Sequence, residues 1–196
     1  MRALGLRTLV FFYGLMGVLG LGFLWSDNAL NQVFPRLPPL IWCLHLSIGV
    51  GVGLAVVAAS RWATARFVWA RQLSEEFRNL LGDMGHREIV VAAILSGFSE
   101  ELLFRGVLQP ALGLWIASAV FALMHIGPNR RFVPWTLMAL GVGMLFGGLF
   151  YWTDSLVAPM VAHMVVNFLN LRFLTQRRVG AEISLEPLGG DRVTEC

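Results

Sequence analysis

Apolar residues run along this chain in blocks of about 20, the length that crosses a bilayer, separated by short stretches carrying Pro, Arg or acidic residues. The blocks predict spans at about 8–26, 39–60, 88–110, 112–127, 134–152 and 155–174. Breakers support the divisions: Pro35, Pro38 and Pro39 precede the second span, Pro110 closes the third, and Pro128 and Pro134 flank the connection after the fourth. Residues 61–81 follow another period. Trp62, Ala65, Trp69, Leu73, Phe77 and Leu80 fall on one helical stripe with Arg and Glu elsewhere, as expected of an amphipathic helix lying in the membrane interface. The fold expected is all-α: a polytopic membrane helix bundle of about six transmembrane helices plus one cytoplasmic interfacial amphipathic helix. Residues 1–174 read as a single membrane domain, and 175–196 as a polar, disordered cytoplasmic tail. Gly49 with Gly53, and Gly143 with Gly147, have the small-xxx-small spacing of closely packed helices.

Composition agrees with that pattern, since 57% of the 196 residues are hydrophobic and only 14% charged. All 15 basic residues are Arg, a usage expected of a GC-rich bacterial genome. Their placement orients the spans: Arg2 and Arg7 precede the first, and Arg61, Arg66, Arg71, Arg78 and Arg87 separate the second from the third. Arg130 and Arg131 lie between the fourth and fifth, and Arg172, Arg177 and Arg178 close the sixth, while the alternate connections carry Arg36 alone. The positive-inside rule then puts both termini in the cytoplasm, for a multi-pass protein of the cell (inner) membrane. The net charge of +3 does not imply nucleic acid, because the Arg residues flank apolar spans instead of forming one basic patch. Cys43 and Cys196 have no disulfide or metal-binding spacing. The basic-then-apolar start resembles a signal peptide, but Asp27 falls where a small residue is needed for cleavage, so the segment reads as a retained span.

Against this apolar background, "GFSEELLFRG" places Glu100, Glu101 and Arg105 inside the third span. The other intramembrane polar residues are His125, His163, Asn167 and Asn170. Charges at a helix centre cost roughly 2.5–3.5 kcal/mol on insertion scales, so such residues point to function. Glu101 and Arg105, four apart, share a face and can pair. Glu100, rotated by about 100°, is left without a partner on its own helix. His163 and Asn167, also four apart, present two donors in one direction. At about 1.5 Å per residue, all four of Glu100, His125, His163 and Asn167 fall near the membrane midplane. A lone carboxylate beside one histidine and facing another histidine and an amide suits attack by water on a carbonyl. Glu100 is the expected general base, His125 helps hold or deprotonate the water, and His163 and Asn167 donate to the developing oxyanion. No Ser or Cys has an evident nucleophile–base arrangement. Glu with two His is also a zinc ligand set, but HExxH spacing is lacking, and the expected cofactor is none.

"EELLFR", "FALMH" and "HMVVN" follow one another on successive hydrophobic segments, and in that order they resemble the EExxxR, FxxxH and HxxxN motifs of the CPBP family of intramembrane glutamic endopeptidases, also called the Abi or CAAX prenyl protease 2 family. The resemblance covers residues 88–174 and implies a metal-independent protease in which Glu100 and His125 activate water, His163 and Asn167 form an oxyanion hole, and Glu101 and Arg105 support the site. The implied partners are the lipid bilayer and a protein or peptide substrate with a transmembrane or lipidated segment. Within the family the form of the chain resembles the myxosortases, which implies removal of C-terminal sorting signals. The alternative reading is a non-catalytic membrane scaffold or bacteriocin self-immunity protein, in which the same polar residues glue helices together. A proton or ion transporter draws on the same residues but lacks inverted repeats or paired broken helices.

Overall fold

A computed structural model describes residues 5–183, with side chains through Thr175. Seven α-helices carry the described chain: α1 (Leu6–Ser26), α2 (Pro39–Arg66), α3 (Val68–Leu81), α4 (His86–Glu101), α5 (Gln109–Leu123), α6 (Val133–Thr153) and α7 (Val157–Ile183). A π-helical segment, Leu102–Leu108, joins α4 to α5 without interruption. Among the described residues five helical stretches are long and apolar enough to cross a membrane, and the third of these, His86–Leu123, contains the third predicted span and most of the fourth. The all-helical bundle and its amphipathic element are as the pattern predicts.

The boundaries moved for local reasons. The chain does not turn at Pro110, which follows directly on the π-helical segment and lies within continuous helix. It turns at Gly113, whose φ of +81° and ψ of 165° favour a residue without Cβ. Beyond Gly113 the chain doubles back. In a continuous helix Glu100 and His125 would stand about 37 Å apart, yet their side chains approach to 3.7 Å. The second span also continues past residue 60, so Trp62 and Ala65 belong to α2. Extended backbone at Phe67 (φ −114°, ψ 136°) ends α2 and starts α3. On α3, Ala70 and Leu73 are buried while Trp69 and Leu80 stay exposed, which narrows the predicted stripe. The helix α7 continues to Ile183, so the tail predicted from 175 begins as helix, and residues 184–196 lie outside the described part.

Packing follows the small residues. A Cβ on Gly53 would meet Val165 Cβ at 2.8 Å and the Ala162 carbonyl at 2.9 Å, and one on Gly49 would meet the Ala158 carbonyl at 2.6 Å. Helices α2 and α7 therefore touch backbone to backbone along the predicted glycine stripe. Gly17 and Gly20 likewise let α1 lie against Ser99 of α4 and Leu102. On one side of the bundle, Leu24, Val33, Leu102, Phe150, Leu156 and Met160 form an apolar cluster, and the Leu156 N–H donates to the Gln32 carbonyl at 2.8 Å. On the other, Arg-rich side, α3 lies across the helix ends. Phe77 of α3 packs edge-on against Phe132 and Trp135, each at 5.0 Å, and Glu76 pairs with Arg131 and accepts from Asn129.

Candidate active site

The third and fourth predicted spans, α6 and α7 bring Glu100, Phe121, His125, His163 and Asn167 of the three motifs around one cavity of about 370 Å³, with Glu101 and Arg105 buried outside its lining. Its polar floor includes Tyr13, Ser96, Glu100, His125, His163 and Asn167. Its walls are mostly apolar, with Val56, Leu73, Phe77, Met138, Val142 and Val166 among them.

Glu101 and Arg105 are the anchor. They are 0% and 2% exposed, and Arg105 Nη1 donates to Glu101 Oε1 at 3.1 Å. A buried guanidinium needs more than one acceptor, and Nη2 of Arg105 donates to the Gly143 carbonyl at 3.1 Å. One turn on, Gln109 Nε2 donates to the Gly147 carbonyl at 2.9 Å. The glycine pair of α6 thus exposes two carbonyls, four residues apart, to a guanidinium and an amide that are also four apart. The guanidinium also lies over the Phe121 ring, 4.6 Å from its centre. Gln109 was not among the predicted polar residues, although its four-residue spacing from Arg105 in an apolar run is a readable signal.

The same Glu101 oxygen that meets Arg105 lies 2.7 Å from His163 Nδ1. Motif spacing along single helices does not reveal this link, because it joins α4 to α7 across 62 positions. Since the carboxylate accepts, Nδ1 carries a proton, and Nε2 is the ring atom left facing Glu100, at 3.8 Å from Oε2. His125 is oriented by a different device. Its Nδ1 lies 2.7 Å from the Phe121 carbonyl one turn back, so this nitrogen donates and Nε2 faces Glu100 Oε2 at 3.7 Å. The imidazole is held between rings, 4.3 Å from Phe121 and 5.4 Å from Trp135.

Glu100 stands between the two imidazoles. It is 6% exposed, and its Oε2 is buried with no hydrogen-bond partner in the protein. Tyr13 of α1 lines the same cavity as this carboxylate. Asn167 Nδ2 donates to Ser96 Oγ at 2.8 Å, and Ser96 in turn donates to the Ala92 carbonyl at 2.6 Å. This fixes the amide plane and leaves the second N–H of Asn167 for the cavity. Asn170, predicted to extend the stripe, instead accepts from Ser60 at 3.3 Å and ties α7 to α2. Among the described residues no group of three or more His, Cys, Asp or Glu side chains is arranged to hold a metal ion.

Residues 86–169 match the family described as type II CAAX prenyl endopeptidase Rce1-like. The matched segment contains Glu100, Glu101, Arg105, His125, His163 and Asn167. That segment of the chain is similar to the family. It is also 33% identical over 130 residues to the uncharacterized protein YpbD of Bacillus subtilis (strain 168), an alignment that covers 65% of each protein. No solved structure matches the chain. The resemblance to CPBP proteases drawn from three short motifs is therefore borne out over residues 86–169, within a chain whose five long apolar helical stretches suit a multi-pass membrane protein.

Proposed function

We propose that this Rce1-like protein is an intramembrane glutamic endopeptidase that hydrolyses a peptide bond with water and without a covalent enzyme intermediate. The observation that carries the reading is the buried, unpartnered Oε2 of Glu100, set 3.7 Å from His125 Nε2 and 3.8 Å from His163 Nε2. A water held between Glu100 and His125 gives its proton to Glu100 as its oxygen attacks the carbonyl carbon. The carbonyl π electrons move onto oxygen, which receives hydrogen bonds from His163 Nε2, when that ring carries both protons, and from the free N–H of Asn167. The intermediate then collapses: the C–N bond breaks, and the proton on Glu100 passes to the leaving amine. Glu101 orients His163, and Arg105 compensates the charge of Glu101.

The substrate reading follows from the cavity. Its lining comes from the Arg-rich halves of the helices, including Leu9 and Tyr13 of α1, Ser60 and Thr64 of α2, and Asn170 and Leu174 of α7. Peptide reaches Glu100 from that side, beneath α3. Arg placement makes this side cytoplasmic, in a protein of the bacterial inner membrane. Apolar walls with a polar floor fit a polypeptide whose scissile bond adjoins an apolar or lipid-bearing segment, and we assign the substrates to membrane-anchored proteins with C-terminal sorting signals.

The test is to compare the membrane and surface proteomes of host cells carrying wild-type protein or Glu100→Gln. Longer precursors sharing a terminal signal are expected to accumulate in the mutant. If none accumulates while deletion of the whole gene still has a phenotype, the buried carboxylate is structural and the protein acts as a scaffold.

A further inference from the structure

Above its floor the cavity has two unlike walls. Helix α6 contributes Trp135, Met138, Ala139 and Val142, all aromatic or aliphatic. The polar groups come from α2 and α7, namely Ser60, Arg61, Thr64 and Asn170, joined by Ser74 of α3. Thr64 and Ser74 direct their hydroxyl protons to carbonyls of their own helices, those of Ser60 and Ala70, each at 2.9 Å. Ser60 shares its proton between the Val57 carbonyl at 2.9 Å and Asn170 Oδ1 at 3.3 Å. With their protons engaged, the three hydroxyl oxygens are left as acceptors. Asn170 supplies the opposite group, because its Nδ2 has no hydrogen-bond partner among the described residues. The turn of α7 that carries it is locked from α2: Arg61 Nη2 donates to the Leu169 carbonyl at 2.9 Å, and the guanidinium lies 3.6 Å from the centre of the Phe173 ring.

A hydrocarbon chain has no use for donors and acceptors along one wall. A peptide main chain does, because an extended segment presents N–H and C=O groups together along each edge. Asn170 follows Asn167 by three residues, so it shares that face of α7 and stands about 4.5 Å nearer the Arg-rich mouth. An extended peptide advances about 3.3 Å per residue, so this step reaches a carbonyl one or two residues from the scissile bond. We propose that Asn170 is a substrate-binding residue, its Nδ2 donating to that main-chain carbonyl while the Ser60 and Thr64 oxygens accept peptide N–H groups. The inference rests on the protease reading of the cavity floor and deepens it. The main chain of the substrate runs along α2 and α7, and its apolar side chains face α6.

The experiment uses full-length protein in liposomes and a peptide drawn from the precursors, in a series where one carbonyl flanking the scissile bond at a time becomes a thioamide, a weaker acceptor. Wild type is compared with Asn170→Leu, Asn170→Ala and Ser60→Ala. In wild type, one thioamide is expected to lower kcat/KM by about fivefold, the effect of one neutral hydrogen bond, mainly by raising KM. Both Asn170 variants cleave the parent peptide about fivefold less efficiently and are indifferent to that thioamide, as a double-mutant cycle requires of a direct contact. Ser60→Ala loses the tie between α2 and α7 but keeps the thioamide sensitivity. If the Asn170 variants stay as sensitive as wild type, Asn170 only holds α7 against α2 and the proposal fails. Wild type indifferent to every flanking thioamide overturns it without any variant. Equal cleavage of the parent peptide by wild type and Glu100→Gln would instead overturn the protease reading beneath it.

Discussion

Arg105 shows how a charge is made tolerable at the centre of a membrane bundle. Its two terminal nitrogens are used on Glu101 and the Gly143 carbonyl, and its flat face rests on Phe121. Removing the cation leaves Glu101 buried without its counter-charge, a loss of about 3–5 kcal/mol for comparable pairs. Arg105→Leu is therefore expected to lower the thermal unfolding temperature in detergent sharply. Adding Glu101→Gln to that variant restores much of the stability but not the activity, because His163 still lacks its carboxylate. Full activity of the double variant would deny Glu101 its role in orienting His163. The Glu101–Arg105 pair was legible from four-residue spacing alone. The Glu101–His163 bond was not, since it depends on which face of α7 meets α4, and spacing within each helix is silent about that.

At the scale of elements, the long-range seams are set by glycine and the cover of the cavity by α3. Gly53 and Gly51 provide a direct contrast: the first meets α7 within 3 Å, whereas a Cβ on the second meets nothing within 4 Å. Gly53→Val is expected to destabilise the protein by about 1–3 kcal/mol through forced separation of α2 from α7, and Gly51→Val to leave it nearly unchanged. Equal unfolding temperatures would refute the seam. The amphipathic helix α3 is held by Phe77 and by Glu76, whose carboxyl lies below the usual carboxylate range chiefly because Arg131 donates to it. A lowered folded-state value means the contact contributes above the usual range and is lost as pH falls through the lowered value. A cysteine replacing Leu73, in a background lacking Cys43 and Cys196, should react faster with thiol reagents at such acid pH. Glu76→Gln should have the same effect at neutral pH. A reaction rate indifferent to both changes would mean that Glu76 does not hold α3 down. Periodicity identified α3 as interfacial, but its start at Val68 was hidden, because Trp62 and Ala65 continue the same apolar rhythm one helix earlier. The reversal at Gly113 was hidden for a similar reason: Pro110 is the stronger breaker in sequence, yet the helix runs through it from the π-helical segment.

Across the whole molecule, one reading joins the Arg-rich face, the cavity beneath α3 and the buried carboxylate at its floor. Glu100, His125, His163 and Asn167, expected at one depth because a regular helical rise converts sequence distance into height, line one cavity. The central claim is that Glu100 drives hydrolysis in this cavity. The most direct measurement is cleavage of the precursor-derived peptide, followed by mass spectrometry, with purified wild-type and Glu100→Gln proteins in liposomes. The account predicts a shortened peptide from wild type and a rate at least about a hundredfold lower from Glu100→Gln, the scale of general-base catalysis, with helical content unchanged. Equal cleavage by the two proteins would contradict it.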